Sequence, residues 1–281
     1  MIRFTLPFLL CAVIALGSGC ASRTPQHTGA VAETGRQYTN TLKKVNSFAL
    51  DHTLEFTADL LPGLPREQGN LQQHTEVMRE RAALVNETAA YLDTQALYFA
   101  ELDALAKGDN STGTARNLRK LVEALNKAPS VPGISRLAKE AASGLAGHVS
   151  SWKHSEEVRS VLVRDAQVVA QALLLNQHML EQQIEWISQR EALARQVEYR
   201  EKVLKPFVED RKLAETWKKA WIADIKRPPA IQLLEQARAA SVEMQRAWLG
   251  LLRGEGGFQQ LQGTLELINS NLKEVANHEQ Q

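Results

Sequence analysis

Cysteine is nearly missing from this chain: of 281 residues only Cys11 and Cys20 carry a thiol, and both lie within the first twenty positions. Everything beyond residue 20 must therefore hold together by packing, without a disulfide. An excess of charge of one sign is missing too. The 33 Lys and Arg face 32 Asp and Glu, whereas a nucleic-acid binder usually concentrates basic charge, so that class of partner is excluded. Long apolar runs are confined to the start. No later stretch approaches the roughly 18 apolar residues of a membrane-crossing helix. Alternating runs of β-branched residues are absent as well, which leaves no strand to predict.

Helical spacing fills the space left by those absences, because apolar residues recur at steps of three and four along most of the chain. A first helix carries Tyr38, Leu42, Val45, Ala49 and Phe56 on one face and stops at Pro62-Gly63-Leu64-Pro65, where two prolines cannot continue it. A second places Leu84, Thr88, Tyr91, Gln95, Tyr98, Leu102 and Leu105 in one stripe, widened by Val85, Leu92 and Phe99, and ends at Lys107-Gly108. A shorter helix holds Leu118, Leu121, Val122 and Leu125; after a break at Pro129 to Gly133 a weaker helical stretch begins near Ile134. From about Ser155 a long helix runs to about Lys205, with Glu156 and Glu157 at its positive end. Its double stripe, Leu162 to Leu204 beside Val161 to Leu193, is too wide for a two-stranded seam and suits a bundle. Pro206 is expected to kink or interrupt it. Segments through Trp217 and Trp221, from Leu234 to Leu251, and from Phe258 to Val275 complete the chain. The fold class is all-α, a multi-helix bundle of about seven helices with one or two long ones.

The first twenty residues carry an address. Arg3 supplies a positive start, Phe4 to Leu16 an apolar run, and Gly17-Ser18-Gly19 small residues ahead of Cys20. Leu16-Gly17-Ser18-Gly19-Cys20 resembles the lipobox of bacterial lipoproteins, with Gly17 standing where that family prefers Leu, Val or Ile. The resemblance implies that residues 1–19 are a signal peptide and that Cys20 becomes the lipid-bearing first residue of an anchored protein. It also implies sorting by the next residue. Ala21, where an aspartate would retain the protein in the inner membrane, points to the outer membrane and its periplasmic face. Residues 20–35 are small and polar, with Pro25 and two glycines, and read as a flexible tether reaching about 50 Å at most. Residues 36–281 then form the helical bundle domain.

Recognisable catalytic frameworks are absent. The chain has no glycine-rich strand–helix turn and no Gly-x-Ser-x-Gly elbow. It also lacks the Glu-x-x-His pairs of di-iron bundles and the His-Glu-x-x-His of zinc proteases. The catalytic Glu-Ser pair of helical lytic transglycosylases is missing too. What remains is weaker. His178, Glu181 and Glu185 share one side of the long helix, where a polar edge is the ordinary explanation. His52 sits on the apolar face of the first helix, as a boundary or hydrogen-bonded core histidine, while His148 and His154 lie near a helix break and receive no role. More suggestive are Trp217 and Trp221, followed by Ile225 at the same spacing and flanked by Lys218 and Lys219. They form an apolar face with cationic edges that suits a membrane interface or a partner anchor, unless both rings turn into the core.

Three function classes follow. The leading one is a non-catalytic lipoprotein, held at the membrane by its N-terminal lipid, acting as a helical scaffold, adaptor or accessory subunit of an envelope assembly with a protein partner and no cofactor or metal. The second is a bundle that holds a lipid, peptide or other apolar ligand among Tyr91, Tyr98, Phe99 and Trp186. The third is an envelope enzyme built on convergent carboxylates in a cleft.

Overall fold

The computed structural model describes residues 23–63, 65, 67–110, 112–127, 156–226, 230–254 and 259–279. Cys20, His148, His154 and the helical stretch expected from Ile134 lie outside the described residues. Among the described residues there is no strand, and seven helices pack as a multi-helix bundle, as the periodicity predicts.

Helix α1 spans Arg23–Leu60 and α2 spans Gln68–Ala106, joined across a 3₁₀ turn at Leu61–Gly63 where the two prolines stop the first helix. Gly108, at φ 107°, closes α2. Its amide reaches Leu105 O and that of Asp109 reaches Ala104 O, the paired bonds that a left-handed glycine allows. Helix α3 (Thr112–Lys127) turns back along α2, with Asn110 Oδ1 accepting from the Thr112 amide at its start. Helix α4 spans Glu156–Glu198. Pro206 does not end it: a π-helical turn at Tyr199–Leu204, in which the Lys205 amide reaches back to Arg200 O, carries the chain into one more turn, Lys205–Glu209. Widening the helix just ahead of the proline lets the chain continue past a residue that has no N–H to donate. Helices α5 (Glu215–Lys226), α6 (Ala230–Arg253) and α7 (Gln259–Glu279) follow.

Residues 23–35 correct the expectation of a tether. They are the first third of α1, and Thr28, Val31, Ala32 and Thr34 are buried in it. Pro25 is tolerated because it falls in the first turn, where amides have no helical acceptor. Small residues make a close approach to α2: a Cβ on Gly35 would lie 2.7 Å from the Phe99 ring, and one on Gly29 3.1 Å from Asp103. What composition marks as loose is a packed helix interface.

Cross-links fix the direction of each helix. Helix α2 runs antiparallel to α1, with Gly35 against Phe99 and Thr57 against Met78. Helix α4 runs parallel to α1, since Gln183 donates to Asn46 and Lys202 to Asp59. Helix α6 is antiparallel to α4 (Trp248 to Ala166 O), and α7 is parallel to α1 (Gln262 to Thr34, Asn269 to Thr41). The bundle therefore has a near end, where Arg23 and Ala106 lie, and a far end with Leu60, Gln68 and the π turn. The 38 residues of α1 separate them by about 57 Å.

The core lies between α1, α2, α4 and α6. Tyr38, Leu42, Leu92, Tyr98, Phe99, Leu102, Leu162, Leu173 and Trp248 are almost wholly excluded from water there. Each such apolar side chain contributes about 1.5–3 kcal/mol relative to exposure. The α2 stripe is buried from Thr88 to Leu105, whereas Leu84 is exposed.

Candidate docking tip at the far end of the bundle

The far end owes its shape to the π turn. Helix α5 packs back against that turn, and Trp217 holds it there: its indole N–H donates to Val203 O at 2.9 Å. Its ring stacks on Phe207 at 5.5 Å and on Trp221 at 6.2 Å, the two indoles only 6° from parallel. Val203 is buried beneath, apart from the main core. Helical spacing then sends Trp221 and Ile225 outward. Trp221 is 43 % exposed, Phe207 60 % and Val208 70 %. Tyr199 and Leu204 are also exposed, and Leu71, Val77 and Leu84 of α2 and Leu193 of α4 add further apolar surface toward the same end. Among the described exposed large apolar side chains, Leu97, Val163 and Leu267 are the ones that lie elsewhere.

Charge surrounds the aromatic stack. Lys218 and Lys219 are exposed, and among the described residues neither has an ion-pair partner. Lys218 lies in the same helical row as Trp221 and Ile225, three and seven positions earlier. On the π turn the cations are paired: Lys202 with Asp59 and Glu198, Lys205 and Arg200 with Glu201. The sequence thus separates a salt-bridged base from a basic rim without ion pairs among the described residues. Spacing alone identified the shared face of Trp217 and Trp221; the structure assigns the first ring to holding α5 in place and the second to the surface.

The other sequence-derived candidates are placed differently. His52 lies between Phe48 and Phe56, with Nε2 3.6 Å from Glu191 Oε1, a partly covered core-boundary histidine. His178 Nδ1 is 3.8 Å from Glu181 Oε2, and the remaining polar atoms of this edge turn to Gln177 and Gln182, while Glu185 faces solvent. Among the described residues no group of three His, Cys, Asp or Glu side chains is placed to hold a metal ion. Tyr91, Tyr98 and Phe99 pack into the core: Tyr91 donates to Ala172 O at 2.9 Å, Tyr98 to Asp165 Oδ2 at 3.1 Å, and Phe99 meets Tyr98 and Trp248 edge to face. Trp186 is held between the guanidinium groups of Arg81 and Arg190, 4.2 and 4.4 Å from its ring.

Sequence reasoning missed the buried polar network. Asp165 is fully buried, bonded by Arg164 and Tyr98, and burial outweighs both to push its carboxyl above the ordinary range. Burial likewise raises the Tyr91 and Tyr98 phenols well above theirs. Asn176 donates to Gln95 at 2.7 Å, and Tyr38 pairs with Ser241 at 2.8 Å. Gln95 falls in the predicted stripe of α2, and Asn176 falls at the three-four position between Leu173 and Leu180 of the long helix, both signals that a polar partner was needed; Asp165 was not singled out by its spacing. These groups join α2 to α4 and α1 to α6, so their chemistry is structural.

No family model, curated protein or solved structure matches the chain.

Proposed function

We propose that this chain is an envelope lipoprotein, anchored through Cys20 on the periplasmic face of the outer membrane, whose bundle is a non-catalytic scaffold with a second attachment at its far end. The observation that carries this reading is the stack of Phe207, Trp217 and exposed Trp221 beside Lys218 and Lys219, which have no ion-pair partner among the described residues. A monomeric soluble surface seldom gathers large apolar side chains into one region unless that region binds something. The anchor supplies the other half of the reading. Cys20 is three residues ahead of α1, so the lipid sits within about 10 Å of the near end, while the aromatic tip is a helix length away. A core filled by Tyr91, Tyr98 and Phe99 supports the scaffold over a ligand-holding cavity.

Fatty-acid labelling and fractionation test the proposal together. Label should enter the wild-type chain and be lost in Cys20→Ala. Trp221→Asp with Ile225→Asp should keep the label and the fold while losing the chain's envelope contact, read by crosslinking from an exposed tip position. Labelling that survives Cys20→Ala, or contacts unchanged by the tip substitutions, would overturn it.

A further inference from the structure

We propose that the occupant of the far-end tip is an anionic phospholipid surface, so that the anchored bundle has two contacts with lipid. This deepens the scaffold reading and rests on it for the anchor alone. The first support is the form of the tip. Phe207 at 60 % and Val208 at 70 % exposure project from the end of the π-turn extension. Side chains so open on most sides are knobs rather than the walls of a groove, and a deformable acyl boundary can surround knobs without a matching surface. The second is residue type. Tyr199, Trp217 and Trp221 with Leu204 and Ile225 combine aromatic rings and aliphatic bulk, the composition that settles at the headgroup level.

Charge complementarity decides for an anionic surface. From residue 205 to 227 the chain holds Lys205, Arg211, Lys212, Lys218, Lys219, Lys226 and Arg227 against Glu209, Asp210, Glu215 and Asp224, although the whole chain carries a formal net charge of only +1. Lys218 and Lys219 have no ion-pair partner among the described residues, and Lys218 shares the row of Trp221 and Ile225. Interfacial rings flanked by unpaired lysines fit lipid phosphates, with the ammonium groups at the headgroups and the rings just below. Helix α5 has 12 residues, about 18 Å, and no described helix is long and apolar enough to cross a membrane. The contact is therefore interfacial. Tethering through Cys20 raises the local concentration of lipid at the tip, and engagement of both ends lays the bundle along the bilayer.

The test uses the full protein, isolated from the membranes of producing cells and reconstituted into vesicles of phosphatidylcholine, alone or mixed with phosphatidylglycerol. Brominated acyl chains quench only tryptophan that reaches the acyl boundary, and comparison with Trp221→Phe isolates the signal of Trp221 from those of the other four tryptophans. Quenching of Trp221 in anionic vesicles, much weaker in neutral ones and reduced about tenfold or more by Lys218→Glu with Lys219→Glu, is the expected result. Circular dichroism of that double variant should match wild type, because both lysines are exposed. Equal quenching in the two vesicle types would overturn the role of charge, and no quenching in either would overturn the lipid contact and leave the tip to a protein. Mass spectrometry of the N-terminal fragment separates the two readings: an unlipidated Cys20 sinks the anchor without touching the quenching result.

Discussion

Gly35→Ala tests whether the first third of α1 is built into the bundle. In an unconstrained or solvent-facing helix, alanine is favoured over glycine by roughly 0.5–1 kcal/mol. Here the new methyl would lie 2.7 to 2.8 Å from three atoms of the Phe99 ring. Ordinary contact begins near 3.4 Å, so ring or helix must move by about 0.7 Å. Phe99 cannot yield cheaply, being fully buried with Tyr98 and Trp248 against it. Overpacking of this kind costs about 1–3 kcal/mol, which exceeds the gain in helix propensity. We expect a net destabilisation of about 1–2 kcal/mol, or a fall in Tm of roughly 2–8 °C for a chain of this size. Gly263→Ala in α7 is the matched control, because its methyl meets nothing within 4 Å. It should stabilise by about 0.5–1 kcal/mol. Denaturant unfolding followed by circular dichroism reads both. If Gly35→Ala stabilises as much as Gly263→Ala, residues 23–35 are not packed on α2.

Three further outcomes follow. Because the buried Asp165 carboxyl is held above its ordinary value, folding favours its protonated form; that contribution is full below the unfolded value of about 3.9 and is lost as pH rises through the folded one. Wild type should therefore lose stability relative to Asp165→Asn on going from about pH 4 to neutral in urea titrations, and a difference flat with pH would contradict this. Asn176→Leu should cost about 1–3 kcal/mol by leaving buried Gln95 without its donor, whereas adding Gln95→Met should restore part of that, read as a coupling energy in a double-mutant cycle. Trp217→Ala should release α5, seen as faster proteolysis between residues 205 and 226 with little change in global unfolding, while Trp221→Ala should shift stability by no more than about 0.5 kcal/mol.

Much of the fold was legible because apolar spacing survives burial on one face. Thr88 to Leu105 and Tyr38 to Phe56 are covered as their spacing predicts, and Pro62 and Gly108 stop helices where their chemistry requires it. The start of α1 was hidden for a physical reason. Close helix approach selects the same small residues, Thr28, Ala32 and Gly35, that a tether would use. Pro206 interrupts the long α-helix as its chemistry requires, by a π turn ahead of it after which the chain continues for one more turn. At the tip, spacing showed that Trp217 and Trp221 share a face but could not tell what lies over it; that depended on α5 folding back on the π turn. The partners of Asp165 and Asn176 lie in distant segments, so the spacing that places Asn176 in the stripe between Leu173 and Leu180 could not name them.

In-cell photocrosslinking from position 221 and, as a reference, from exposed Leu97 away from the tip asks whether the far end is the working surface of an anchored scaffold. Position 221 should crosslink to phospholipid and position 97 should not, and Lys218→Glu with Lys219→Glu should remove the adduct. Equal labelling from both positions, or none from 221 while the chain stays in the membrane fraction, would contradict it.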